Sequence, residues 1–394
     1  MKDRKTGNNQ YLKEMNKSIV LDLIRTTKDM SRKYLADRTG LSATATGAIV
    51  KALLSEEYIQ EIGEGASSGG RKPVMLQLKP RSYYAFGFDV DVRYIYTVVI
   101  DITGEVVYRK KRENPRELTV EQTIETLYEI YYQALGELKI TDRRILGVGV
   151  SIPGLMDIHS KKIILAPNLG WSDVDLLPHL EEALDTSVYL DNEAMCSASC
   201  ENWIGLCRDV EDFICINIES GIGAGLFLRG KIYRGFTGSA GEVGHILVDD
   251  HGPVCKCGNV GCLETIASIN GMVSKALKKG SCSGDEVNIE SAFESLLKKA
   301  REGEPESLEV FHEAAASLGK AIAYLINTFN PQKIVLGKKF PDYADLVLQT
   351  IQQTAHKLAL YYPSKHVEIV SSTFGEDSSA LGAAIIPIKK LFGK

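Results

Sequence analysis

The sequence contains no apolar run approaching the roughly 18 residues that a membrane-spanning helix requires. Its first ten residues, MKDRKTGNNQ, lack the apolar centre of a secretory signal. A cytoplasmic protein with no membrane partner is therefore expected. Such a compartment keeps thiols reduced, which argues against disulfides among the eight cysteines. Cys196, Cys200, Cys207 and Cys215 lie in apolar or helical surroundings and read as small core residues, while Cys282 lies in a Ser/Gly loop. Nothing in the composition argues for disorder: 44% hydrophobic and 25% charged residues over 394 positions describe a globular protein long enough for two or three domains.

Charge is unevenly spread. Residues 1–80 hold 14 Lys and Arg against 9 Asp and Glu, a net of +5, so the total of −5 leaves −10 for the remainder. A basic head on an acidic body suggests a polyanion as partner for the head alone. In the head, NKSIVLDLIRTT (16–27) places Ile19, Val20, Leu23 and Ile24 at helical spacing. Ser31 then caps a short helix, RKYLADRTG, that ends at Gly40. A third helix is expected over 42–59, with Ser42 as N-cap and Ala45, Ile49, Ala52 and Leu53 facing inward. Two helices joined by a short glycine turn read as a helix-turn-helix, in which Ser42 and Thr44 reach base edges or phosphates; the plainer alternative is a small helical bundle with no ligand.

YIQEIGEGASSGGRKPVMLQL next reads as strand, loop, strand, the pattern of a wing. Its tip carries Arg71 and Lys72, which suit the strongly negative minor groove, although a solvated charged turn has the same composition. Lys79-Pro80-Arg81 reads as a linker, which divides the chain into a DNA-binding head (1–80) and a body (81–394).

The body begins with β-rich segments at 84–101 and VVYRKK, then a helix near 119–138 and strands near 145–154, 187–191 and 212–220. Mixed strands and helices in this order suggest an α/β unit of two lobes with a cleft between them. Within it, HILVDDHGPVCKCGNVGC (245–262) gathers His245, Cys255, Cys257 and Cys262 as H-x9-C-x-C-x4-C. A Cys3His set suits tetrahedral zinc with no open position, hence a structural metal. Reactive thiols and plain buried cysteines are the competing readings, and a cytosolic redox pair is more often C-x-x-C.

DVDVRYIYTVVID, SIPGLMD, PNLGWSD, LDNEA, ESGIGAG, GSAGEVGH, CKCGNVGCLE and SALGAA occur in the order and spacing of the ROK family of sugar-responsive repressors and sugar kinases, and the chain resembles that family over nearly its whole length. The winged helix-turn-helix with its GGRKP tip resembles the repressor branch, in particular the xylose-repressor type. The resemblance implies a two-lobed fold related to actin and hexokinase. It also implies that Asn192, Glu242, His245 and Glu264 contact sugar hydroxyls, with Glu193 beside them. Carboxylates and an amide suit hydroxyls, which both donate and accept hydrogen bonds.

The rival implied by the resemblance is an ATP-dependent sugar kinase. Where family kinases carry D-x-G-x-T, this chain reads Asp89-Val90-Asp91-Val92-Arg93; where their catalytic base is an Asp after Asn, it has Glu193; and IVLGKKF (334–340) lacks their paired glycines. These departures favour a repressor over an enzyme. A regulator of some other signal is the third reading. Xylose is the first expectation for the effector and glucose the second. Paired half-sites in operator DNA imply a homodimer, or a homotetramer.

Overall fold

Ser31 and Ser42 start their helices as expected, because each side chain accepts the N–H three residues on: Tyr34 at 3.3 Å and Ala45 at 3.2 Å. Gly40 closes the helix between them with φ 70°, a left-handed turn that costs glycine nothing. The computed structural model describes residues 9–27, 30–65, 72–115, 118–157, 159–279 and 288–393. In the head, helices Asn9–Thr26, Arg32–Thr39 and Ala43–Ser55 pack on a three-stranded antiparallel sheet in which Val74–Leu78 lies between Met30–Ser31 and Ile59–Glu64.

Several expectations shift here. The first helix begins at Asn9, and Ile19 is exposed while Leu21 is buried. The third helix stops at Ser55, because Tyr58 and Ile59 are drawn into the hairpin. Its buried face is Thr46, Val50 and Leu53: Leu53 is as expected, while Thr46 and Val50 stand one position on from the expected Ala45 and Ile49, which with Ala52 are only half-buried. The strand–loop–strand is present, but its tip, residues 66–71 with Arg71, lies outside the described residues, as does Cys282. Lys79–Arg81 is a tied corner. The Arg81 N–H donates to Asp101 at 2.8 Å, Ser82 Oγ donates to the Lys79 carbonyl at 2.7 Å, and Tyr83 Oη donates to the Glu56 carbonyl at 2.8 Å.

The body has two lobes built on one plan. In the first, Tyr84–Val90 is flanked on one side by Tyr94–Asp101 and Val106–Glu113, antiparallel, and on the other by Ile145–Ile152 and Val188–Asn192, parallel. In the second, Phe213–Ile218 is flanked by Ile222–Leu228 and Lys231–Tyr233, antiparallel, and by Lys333–Lys338 and Glu368–Ser371, parallel. Numbered along the chain within each lobe, both sheets run 3-2-1-4-5. The two-lobed body is as expected; the repetition is not visible in the sequence.

Two helices hold the lobes together. The helix Glu193–Trp203, called here the cleft helix, follows the last strand of the first sheet, and the C-terminal helix Ser378–Leu391 returns from the second lobe to lie against the first. Backbone meets backbone along this line: a Cβ on Gly149 would stand 1.9 Å from the Ala383 carbonyl, and one on Gly382 would stand 1.8 Å from the Cys196 carbonyl. The glycines admit a separation that any side chain would forbid. Cys196, Cys200, Cys207 and Cys215 are buried and free, as expected of core residues.

Candidate functional site

Cys255 and Cys262 stand on either side of a turn whose arms are joined by bridges Leu247–Cys262 and Val254–Val260. Gly261 in that turn has φ 73°, and a Cβ there would meet the Asp249 carbonyl at 1.6 Å, so the tight turn requires glycine. The turn brings one ligand atom each from His245, Cys255, Cys257 and Cys262 within 4.8 Å of one another. Cys257 and Cys262 Sγ are 3.6 Å apart, and Cys255 Sγ is 3.7 Å from His245 Nδ1. Metal–sulfur bonds of about 2.3 Å put the corners of a tetrahedron about 3.7 Å apart, so the four atoms fit the edges of a metal tetrahedron. A backbone hydrogen bond from Asn259 lowers the Cys257 thiol to about 7, favouring the thiolate that a metal takes. His245 turns Nδ1 toward the sulfurs, which leaves Nε2 for another partner.

Glu264 sits at the edge of this cluster. Its Oε1 accepts a hydrogen bond from Cys255 Sγ at 3.0 Å and lies 3.7 Å from His245 Nδ1. Glu242, three residues before His245, is reachable from solvent; desolvation by its neighbours raises its pKa, with His245 lowering it and Glu264 raising it. Glu242, His245 and Glu264 thus gather beside the candidate metal cluster, with Glu264 and His245 both bearing on Glu242.

Asn192 caps the cleft helix: its Oδ1 accepts from the Ala194 and Met195 N–H groups at 2.9 and 3.4 Å, and its Nδ2 donates to the Gly154 carbonyl at 2.9 Å. The preceding Asp191 is gripped by both guanidinium nitrogens of Arg234, each at 2.6 Å, which pins the first lobe's last strand to the second lobe. A cavity of about 710 Å³ opens beside Glu264, lined also by Asn168 of the first lobe and by Ser220, Gly221, Asp249 and Lys275 of the second. Asn168 and Ser220 were not singled out from the sequence, although both lie in segments, PNLGWSD and ESGIGAG, that carry the family resemblance.

The base of the cleft differs from the rest. Lys338, 1% exposed, donates to Asp89 Oδ2 at 2.5 Å and lies 3.5 Å from Glu219 Oε2, joining the central strands' neighbourhoods of both lobes. Asp89 also accepts from Ser151 Oγ at 2.7 Å. Burial would strip the proton from Lys338, but Asp89, Glu219 and Glu193 outweigh it and hold the ammonium charged well above its ordinary range. The carboxylates pay the opposite way: burial raises Glu193 to about 8 and Glu219 to about 7, and it raises Asp91 as well. Glu193 therefore belongs electrostatically to this buried cluster, whose acids Asp89, Asp91, Glu193 and Glu219 surround one lysine. Arg93 is drawn away to Glu290 at 3.5 Å.

On the head, Thr44 is exposed at the start of the third helix. Ser42 is exposed as well, with its oxygen already used as the cap. Lys72 is exposed, 3.9 Å from Glu64.

The ROK family model matches residues 85–390. The xylose repressor of Bacillus subtilis (strain 168) is 31% identical over 381 residues, covering 96% of each chain. The crystal structure of a ROK family transcriptional regulator, a homolog of the E. coli MLC protein, matches with TM-score 0.82 and 25% identity over 97% of both chains. A ROK family glucokinase from Streptomyces griseus, solved with glucose and AMPPNP, matches with TM-score 0.66 and 25% identity; 98% of it is covered, but it accounts for only 76% of this chain.

Proposed function

This chain belongs to the ROK family, and from that premise we propose that it is a sugar-responsive transcriptional repressor, which binds operator DNA through a winged helix-turn-helix and releases it when a sugar occupies the cleft. The observation that carries the reading is the buried Lys338 cluster. Lys338, the one ammonium at the cleft base, is buried and already held by Asp89 and Glu219, with Asp91 and Glu193 packed around it, so the triphosphate of a nucleotide would find no free donor there, where a kinase needs donors. The chain is not an enzyme; its full-length likeness is to repressors, and the glucokinase leaves about a quarter of it unmatched.

The wall of Glu242, His245 and Glu264, with Asn192 and Glu193 opposite, is the sugar site. The resemblance to a xylose repressor makes D-xylose the first candidate and glucose the second. Zinc is the metal that His245, Cys255, Cys257 and Cys262 hold, since three thiolates and an imidazole at these spacings suit its closed tetrahedral sites. It holds the loop and fixes the His245 ring, and carries out no chemistry. Ser42, Thr44, Arg71 and Lys72 face DNA, and a homodimer or homotetramer presents paired heads in the cytoplasm. No helix among the described residues is long and apolar enough to cross a membrane.

DNA retardation with the segment upstream of the chain's own gene tests the reading: the complex should form without sugar and dissolve with D-xylose or D-glucose. Sugar-dependent ATP consumption by the purified chain, with no DNA complex, would establish the kinase alternative.

A further inference from the structure

The head and body share one apolar core. Val20, Leu21 and Ile24 of the first helix, and Leu76 and Leu78 of the hairpin, are buried in the same cluster as Val98 and Ile100 of the first lobe, Trp203, and Leu381, Ile388 and Phe392 of the C-terminal segment. Two elements run from this contact to the cleft.

The cleft helix starts at the site, with Asn192 as its cap and Glu193 as its first residue, and ends at the head with Trp203. Eleven residues at 1.5 Å each make a strut about 16 Å long. The guanidinium of Arg25, in the last turn of the first head helix, lies 3.7 Å from the centre of the Trp203 ring and 5.7 Å from that of Phe392. Asp22 holds Arg25 in place, accepting at 3.0 and 3.1 Å.

The C-terminal helix makes the same journey. At its start Ser379 Oγ donates to the Glu193 carbonyl at 3.2 Å, and Ser378 and Ser379 meet Ser197 Oγ at 3.1 and 2.9 Å. Ser197 in turn accepts from Asn217 of the second lobe at 3.0 Å. At its end the Leu391 carbonyl accepts from Ser18 Oγ of the head at 3.0 Å. Between those ends Gly382 lies against the backbone of Cys196, and Gly225 of the second lobe would set a Cβ 2.3 Å from the Ala194 carbonyl. Helices so close cannot slide independently, because any shift brings backbone into backbone. Both lobes and the site therefore bear on one rigid pair, and that pair ends on the first helix of the head.

We propose that the cleft helix and the C-terminal helix act as a single strut that carries occupancy of the cleft to the DNA head, delivering it where Arg25 lies over Trp203 and Phe392. The proposal rests on the sugar-responsive repressor reading. It adds what that reading lacks, the element that both sites bias. Arg25 is a positioning residue in this account: it touches neither sugar nor DNA.

The test compares the wild-type chain with Arg25→Met, which keeps the apolar stem and removes the guanidinium, and with Ser18→Ala. D-xylose and D-glucose are each titrated with and without DNA from upstream of the chain's own gene, and thermal melting checks folding. Two coupled sites alter each other's affinity by about 5–150-fold. In Arg25→Met that factor should fall below about 2-fold, while sugar affinity without DNA stays at the wild-type value. A readout without substitution is amide exchange in the wild-type chain, where bound sugar should change protection in residues 18–26 and 378–393 together. Undiminished coupling in folded Arg25→Met and Ser18→Ala, or exchange unchanged in both segments, overturns the strut while leaving the repressor reading intact. If neither sugar alters operator binding by the wild-type chain, the repressor reading falls and takes the strut with it.

Discussion

Replacing Lys338 by Met should destabilise the chain strongly and more so as pH rises. The ammonium is fully buried, bonded to Asp89 at 2.5 Å and close to Glu219 at 3.5 Å. Removing one partner from such a pair costs about 3–5 kcal/mol, because the remaining charge is left unpaired in the interior. The wild-type cluster already works against stability at high pH. Glu193 and Glu219 keep their protons in the fold up to about 8 and about 7, whereas the unfolded chain releases them near 4.5. A raised carboxyl pKa means stability that is fully present below the unfolded value and is lost as pH climbs through the folded one. Lys338 lowers both values, so its removal pushes them higher and extends the decline further into the alkaline range.

Urea unfolding of the wild type and Lys338→Met at pH 5.5 and pH 8.5 measures this directly. The expected penalty is at the low end of about 3–5 kcal/mol at pH 5.5 and at the high end at pH 8.5. Adding Asp89→Asn should restore part of the loss, since it removes the orphaned partner, and the double-mutant cycle gives the coupling. A penalty below about 1 kcal/mol at both pH values, or one that shrinks as pH rises, would refute the buried-cluster account and with it the reason given for excluding phosphate.

Purified chain should carry about one zinc, and Cys257→Ser should lose both the metal and the sugar response; elemental analysis finding no zinc in protein that still binds sugar would remove the link between the two. Glu242→Ala should keep operator binding but weaken sugar binding by about 1.5–3 kcal/mol, the worth of a charge-assisted hydrogen bond, as read by calorimetric titration; an unchanged sugar affinity would place the ligand elsewhere in the cleft. Arg71→Ala should weaken operator binding by about 1–3 kcal/mol in a retardation assay, and equal affinities would mark the wing tip as a solvated turn.

The parts legible from sequence are those whose residues are neighbours along the chain. His245, Cys255, Cys257 and Cys262 fall within 18 positions, so spacing alone could suggest their convergence. Ser31, Gly40 and Ser42 announce helix ends because caps act over three or four residues. Lys338 shows the opposite case. IVLGKKF could be read as missing its glycines, but not as filling the space, since Asp89 lies 249 positions away and nothing local marks the pairing. Likewise Val20, Ile24 and Leu76 have the same apolar pattern whether they close a free-standing head or, as here, a core shared with Trp203 and Phe392. Burial patterns say that a face is covered, and not by what.

The repeated 3-2-1-4-5 sheet order explains why the same fold can serve a kinase and a repressor. Each lobe brings the end of its central strand to the cleft, Asp89–Val90 from one and Ile218–Glu219 from the other, so a ligand between them reports on the angle of the two lobes. With open, donor-rich turns at those ends, the cleft can take a triphosphate. Here a lysine from the second lobe crosses to the aspartate of the first, and Arg234 crosses to Asp191. Both ties belong to the chain itself, so the lobes need no nucleotide to hold them, and on the proposed reading the remaining variable is the sugar against Glu242, His245 and Glu264. The first sheet also bears on the head: Val98 and Ile100 of Tyr94–Asp101 lie in the core that Val20, Leu21 and Ile24 share with Trp203 and the C-terminal helix. On the proposed reading, lobe movement that does no chemistry in the cleft is thereby free to move the first helix of the head.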